Sequence, residues 1–162
     1  MATFEIVGKT RLINAVKRVQ YEIASQSTKI ISNSAQTYQV LLIGNIFSQK
    51  YADATWEYNK TYKKWKSKHY PNKGYWSLTG DLVNAISIAR RGYSAEVGIM
   101  PNEYSSRNSA NIGQYALKLE YGGKKHNQPA RPVFAPTFND FYDNEFQVVI
   151  DKAVSSIVSK WY

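Results

Sequence analysis

Apolar residues recur along this chain in two rhythms. From Thr10 onward, Leu12, Val16, Val19, Ile23, Ile30, Tyr38 and Leu41 keep a three-four spacing, which predicts one long helix with Thr10 as its N-cap and Gly44 as its terminator. The run Ser32-Asn33-Ser34 marks the place where such a helix can break. Its polar face is mostly Gln, Ser, Asn and Thr. Two readings of that face carry equal weight: it is partly covered by neighbouring subunits, or the helix is an ordinary amphipathic one on a monomer. Helical spacing returns at Phe138, Phe141 or Tyr142, Phe146, Val149, Ile150, Ala153, Ile157 and Trp161. Asp140, Asp143 and Glu145 lie in the first turns of this last helix and Lys152 and Lys160 toward its end, the order that the helix dipole favours. Trp161 and Tyr162 are apolar for a terminus and are expected to pack.

Between the helices the rhythm shortens to two. Ile86 and Ile88 alternate with Ser87 and Ala89, Arg90-Arg91-Gly92 reads as a turn, and Tyr93, Ala95, Val97 and Ile99 alternate on the return, so 82–100 predicts a hairpin. The stretch from Tyr115 to Tyr121 also alternates and is stopped by Gly122-Gly123, which predicts a third strand. Residues 101–113 form a Ser/Asn-rich loop, and 122–134 form an extended crossing stiffened by Pro129 and Pro132, with Pro136 following. Both loops are candidate docking segments that order on assembly. Met1 to Lys9 is a short lead able to dock as an edge segment. The predicted fold is α+β: a long N-terminal helix and a C-terminal helix on a small, mostly antiparallel sheet of residues 82–89, 93–100 and 115–121, all in one domain spanning 1–162.

Composition narrows the chemistry. A chain of 162 residues can bury a sizeable core without staples, and with no Cys it has no disulfide, thiolate ligand or Cys nucleophile. The longest apolar run, Val40 to Ile43, is too short for a bilayer, and the first residues lack the pattern of a signal peptide. A product that is cytoplasmic where it is made, with no membrane partner, is expected. The net charge of +9 favours an anionic partner, whether nucleic acid, an acidic protein surface or a cell wall. More than half of that charge sits between residues 50 and 73, where seven lysines face only Asp53 and Glu57. Aromatics interleaved with lysines suit a single-strand nucleic-acid platform. A helix from Asp53 to Lys66 with Trp56, Tyr62 and Trp65 toward the core and its lysines in water produces the same interleaving, and is the preferred reading.

No Walker loop, HExxH, EF-hand loop or Gly-x-Ser-x-Gly occurs, and His69 and His126 read as solvent-facing. No catalytic, metal or cofactor residue is therefore expected. Glu120 is the acid that stands out. On a half-buried strand it needs a cationic partner such as Arg131, which makes it a structural or inter-subunit clamp. As a general acid beside Asp81 or Glu96 it would serve a glycosidase.

The residues Tyr115-Ala116, Leu119-Glu120-Tyr121-Gly122 and Pro129-Ala130-Arg131-Pro132-Val133-Phe134-Ala135-Pro136, in that order before a helix, form a composite motif. It resembles the C-terminal signature of the tailed-bacteriophage neck and tail-completion proteins of the virion-morphogenesis and lambda minor tail protein Z types. Trp56, Thr61, Lys63, Lys64 and Leu78-Thr79-Gly80-Asp81-Leu82 extend the resemblance upstream, so that it covers roughly residues 46–140. It implies a virion structural protein of the head–tail junction, not an enzyme. Such a protein assembles as a ring, expected to be hexameric, between the head connector or head-closure proteins and the tail terminator or tail tube, and DNA passes through its lumen without sequence recognition. Ring closure needs one patch on each subunit to meet another on the next. The basic segment with Lys60, Lys63, Lys64, Lys66 and Lys68 is one candidate, and Asp140, Asp143 and Glu145 its counterpart, with Glu120 and Arg131 clamping the crossing. A tail terminator is the neighbouring reading. A peptidoglycan hydrolase and a nucleic-acid-binding protein are the alternatives from other classes.

Overall fold

The computed structural model describes residues 9–53, 60–71, 80–105, 109–123 and 129–159. The expected edge segment before Lys9, the placement of Trp56 and the packing of Trp161 and Tyr162 lie outside the described residues. The architecture is α+β, with a long N-terminal helix, a C-terminal helical run and a small antiparallel sheet.

Helix α1 runs from Lys9 to Ser48 without the expected break at residues 32–34, and it passes through Gly44. A glycine inside a helix costs about 1 kcal/mol relative to alanine. Continuing past it buries Ile46 completely, which contributes roughly 1.5–3 kcal/mol, so the helix goes on. It ends where Gln49 takes a left-handed conformation at φ 56° and Lys50 N–H bonds back to the Asn45 carbonyl at 3.2 Å, a Schellman-type closure.

Around the second half of α1 the chain wraps its core. Tyr38, Leu42 and Ile46 meet Leu82 and Val83 of the short helix α3 (Asp81–Asn84) and Ile86 at the start of the hairpin. Strands β1 (Ile86–Arg91) and β2 (Ser94–Ile99) pair antiparallel from Ile86 opposite Ile99 to Arg91 opposite Ser94. The turn is therefore Gly92-Tyr93, one residue later than expected, with Gly92 at φ 57°. Residues 82–84 belong to α3, not to the first strand.

The segment predicted as a third strand is helical. Residues Ile112–Tyr121 form a helix, α4, and among the described residues the sheet has two strands. The large residues at 115, 117 and 121 that set the alternation are exposed, while Ile112, Ala116, Leu119 and Glu120 are buried at helical spacing. Asn111 caps the helix by accepting from Gln114 N–H at 2.8 Å, and Gly122 at φ 80° ends it. The predicted Ser/Asn loop is correspondingly shorter, pinched by a bridge between Tyr104 and Asn111.

The C-terminal run begins earlier than expected. It comprises α5 (Phe134–Phe141), a π-helical turn (Tyr142–Phe146) and α6 (Gln147–Val158), and it packs against α1. Tyr38 holds the two together: its ring meets Phe138 edge-on at 5.8 Å and Phe141 at 5.9 Å, and its hydroxyl donates to the Phe134 carbonyl at 3.1 Å.

Candidate functional site

The composite motif turns out to be one device. Helix α5 starts in the sequence Pro132-Val133-Phe134-Ala135-Pro136, and a helix start leaves four backbone N–H groups with no partner inside the helix. Pro136 has no N–H. The other three, of Val133, Phe134 and Ala135, all donate to the Glu120 carboxylate: the first two to Oε2 at 2.8 and 3.1 Å, the third to Oε1 at 2.9 Å. Glu120 is only 7% exposed. Its negative charge at the positive end of α5 is satisfied by charge-assisted bonds and the helix dipole, so the expected cationic partner is replaced by backbone amides. Arg131 is buried nearby and ties the crossing to α4 through its backbone N–H, which donates to the Leu119 carbonyl at 2.6 Å. Burial, and after it the Glu120 charge, push the Tyr38 hydroxyl up to about 12.

The second candidate region is helix α2 (Lys60–His69), which ends three residues beyond the expected Lys66; residues 54–59 of the expected helix lie outside the described residues. Its lysines lie in water as expected except Lys66, but its aromatics do not turn to the core. Trp65 is 42% exposed and Tyr62 37%, and Lys66 is buried at 5%. Burial, and secondarily the Arg131 charge, lower the Lys66 ammonium to about 8. Along the outside, Tyr62 stacks on Trp65 with ring centroids 5.6 Å apart, and Trp65 stacks on His69 at 5.1 Å. Lys60, Lys63, Lys64 and Lys68 surround this ladder and are exposed.

The acidic counterpart is partly occupied from within. Lys50 Nζ lies 2.6 Å from Asp140 Oδ2, and the Tyr51 hydroxyl donates to the same oxygen. Lys50, and after it Tyr51, hold the Asp140 carboxyl below its ordinary range. Behind it, Asn45 Nδ2 donates to the Tyr51 and Thr137 hydroxyls, both at 3.1 Å, with Thr137 fully buried. Asp143 is exposed and Glu145 half-buried in the π-helical turn. Asp81, offered as a second carboxylate, accepts from the Ser105 hydroxyl at 2.6 Å, and Glu96 is exposed on β2. Among the described residues no three His, Cys, Asp or Glu side chains cluster as a metal site would require, and no helix is long and apolar enough to cross a membrane.

Two surfaces were assigned to the core or missed in the sequence. The first is the start of α1, where every residue from Thr10 to Tyr21 is exposed, including Leu12 at 68%, Val16 at 49% and Val19 at 37%, followed by Ile23 at 52%. The second is a groove of about 680 Å³ between α1, the hairpin and the C-terminal run, walled by Tyr38, Tyr93, Val97, Phe138, Phe141 and Phe146. The four-three-four spacing of Leu12, Val16, Val19 and Ile23 signals an apolar seam, but spacing alone does not say whether the covering partner is in the same chain. No family model matches the chain, and no curated protein or solved structure matches it.

Proposed function

We propose that this protein is a structural component of a tailed-bacteriophage virion, a neck or tail-completion protein. In this reading it closes into a ring, hexameric by the resemblance, that joins the head connector to the tail and lets DNA pass. The observation that carries the reading is the Glu120 device. The two separated halves of the motif, Leu-Glu-Tyr-Gly and Ala-Arg-Pro-Val-Phe-Ala-Pro, meet where the acid of the first caps the helix opened by the second. That geometry gives a physical reason for these residues to occur together, and three short fragments then act as one motif. The exposed apolar seam on α1 supports a subunit completed by its neighbours, since a stripe of this kind on a monomer is an aggregation liability.

The deciding experiment is the native mass of the purified chain, measured by light scattering alone and after mixing with head connectors and with tails. A ring, or incorporation at the head–tail junction, is expected. A chain that stays monomeric in all three conditions overturns the proposal. A second reading, nucleic-acid binding, has one observation behind it: the exposed Tyr62–Trp65–His69 stack among four exposed lysines. It calls for salt-sensitive binding of single-stranded DNA that Trp65→Ala weakens.

A further inference from the structure

We infer that the start of α1, residues 10–23, is an arm that docks in the aromatic groove of a second copy of this chain. This rests on the ring reading above and names the contact that closes the ring.

Four observations on the molecule lead to this occupant. First, the seam Leu12, Val16, Val19, Ile23 does not stop where the arm ends. It continues along the same face of α1 through Gln26, Ile30 and Ser34, and Ile30 and Ser34 line the groove. The arm is thus the uncovered extension of a face that is already part of an apolar interface. Second, a seam repeating every 3.5 residues is best covered by a helix carrying the same repeat, and the groove floor carries it. Third, the arm is long enough to span the floor. From Leu12 to Ile23 the helix rises about 16 Å, and the floor from Ile30 to Tyr38 about 12 Å, at 1.5 Å per residue. Fourth, the charges are complementary. The arm holds Arg11, Lys17 and Arg18 against Glu22, whereas the stretch 134–146, which lends Phe134, Phe138, Phe141 and Phe146 to the groove, also holds Asp140, Asp143 and Glu145 and no lysine or arginine. Lys50 engages Asp140 within the chain, leaving Asp143 and Glu145 for the arm.

With the two helices parallel and Leu12 of one copy beside Ile30 of the next, the helices are displaced by about 27 Å, or eighteen residues of rise. In that parallel arrangement the arm and the groove it enters face different neighbours and the contact is head-to-tail, whereas antiparallel seating would be reciprocal and stop at a dimer. Head-to-tail contacts propagate and close into rings when the rotation between copies permits.

The test uses two full-length variants with substitutions at exposed positions, checked for folding by circular dichroism. Leu12→Asp with Val16→Asp removes the arm's seam. Tyr93→Lys with Phe138→Lys places like charge in the path of the arm. Each variant alone is expected to lose association by roughly a hundredfold or more. Mixed, they should give a one-to-one dimer that grows no further, because the intact arm of the groove variant fits the intact groove of the arm variant. Either variant keeping wild-type mass, or a mixture that stays monomeric, overturns the inference. Rings that persist in both variants remove the arm contact and leave the ring reading standing, whereas a wild-type chain monomeric alone and with connectors or tails removes both. If the groove variant misfolds, Val16→Cys with Phe138→Cys in this cysteine-free chain replaces it. Mild oxidation should then give a ladder of disulfide-linked dimers, trimers and larger species, and its absence overturns the inference.

Discussion

Replacing Glu120 by Gln is the sharpest single perturbation of this structure. The side chain keeps its shape, but the charge and one of its two acceptor oxygens are lost. In the native protein those oxygens receive three backbone N–H groups at 2.8, 2.9 and 3.1 Å, inside a site 7% exposed. A hydrogen bond to a charged group contributes about 1.5–3 kcal/mol, and a neutral one about 0.5–1.5. The Gln carbonyl can still receive from Val133 and Phe134, each bond weakened. Its amide then meets the Ala135 N–H donor to donor, which leaves that group unsatisfied at about 1–3 kcal/mol. The expected loss is about 3 kcal/mol. For a chain of this length, that is about 6–12 °C in Tm. Glu120→Ala should cost more, since all three N–H groups lose their acceptor. Equilibrium urea unfolding with an unchanged m-value measures it. A loss below about 1 kcal/mol for Gln would refute the capping argument. A fully stable Glu120→Gln chain that also lost turnover of purified cell wall would instead favour the hydrolase reading.

Thr137→Val exchanges a fully buried hydroxyl for a methyl and leaves Asn45 Nδ2 with Tyr51 alone; a destabilisation of about 1–3 kcal/mol is expected, and a change under about 0.3 would show the network to be dispensable. Lys66 has its folded value lowered to about 8 from an ordinary 10.5, so above pH 8 the unfolded chain holds a proton that the folded one has released, and stability rises with pH. Relative to Lys66→Met, wild type should gain about 1–2 kcal/mol between pH 7 and about 9.5. Above pH 10 the raised Tyr38 works the other way, the unfolded phenol ionising first, so a flat difference curve below that point would refute the Lys66 assignment. Lys63→Glu with Lys64→Glu reverses exposed charge on α2 and should weaken ring formation; unchanged native mass would remove α2 from the interface.

The long helices and the hairpin were legible because their periods run for many residues, long enough to outweigh local opposition such as Gly44 in α1. Helix α4 was not, for a specific reason. Its buried face is built from Ile112, Ala116, Leu119 and Glu120, one of them small and one charged, while three of its large side chains point outward and happen to alternate. The legible signals were local: Asn111 three residues before Gln114, and Gly122 after the last turn. Helix α2 misleads in the same way, since a lysine buries its stem as readily as a neighbouring indole stays half in water. Glu120 was legible as a buried acid but not as a cap, because its partners are main-chain groups with no letter in the sequence. The reading improves once Pro132-Val133-Phe134-Ala135-Pro136 is seen as a helix start with a proline at its third position.

The arm raises a question of its own stability, and the answer separates a free subunit from an assembled one. Residues 10–21 make about three turns, every one of them exposed, and helices this short are marginal in water without tertiary packing. Being continuous with α1, the arm needs no nucleation, yet its propagation constants sit near one, so its end frays. Amide protection in a dilute subunit should therefore be about tenfold at most over 10–20, while Tyr38 to Ile46, anchored in the core, exchange only with global opening. Docking in a neighbour's groove adds the association free energy to every amide of the arm, and exchange there should slow by orders of magnitude in the assembled particle. The Leu12→Asp, Val16→Asp chain should keep the fast pattern whatever its concentration. An arm as protected in the dilute monomer as in the assembly would mean that it is already packed within its own chain, and the groove would need another occupant.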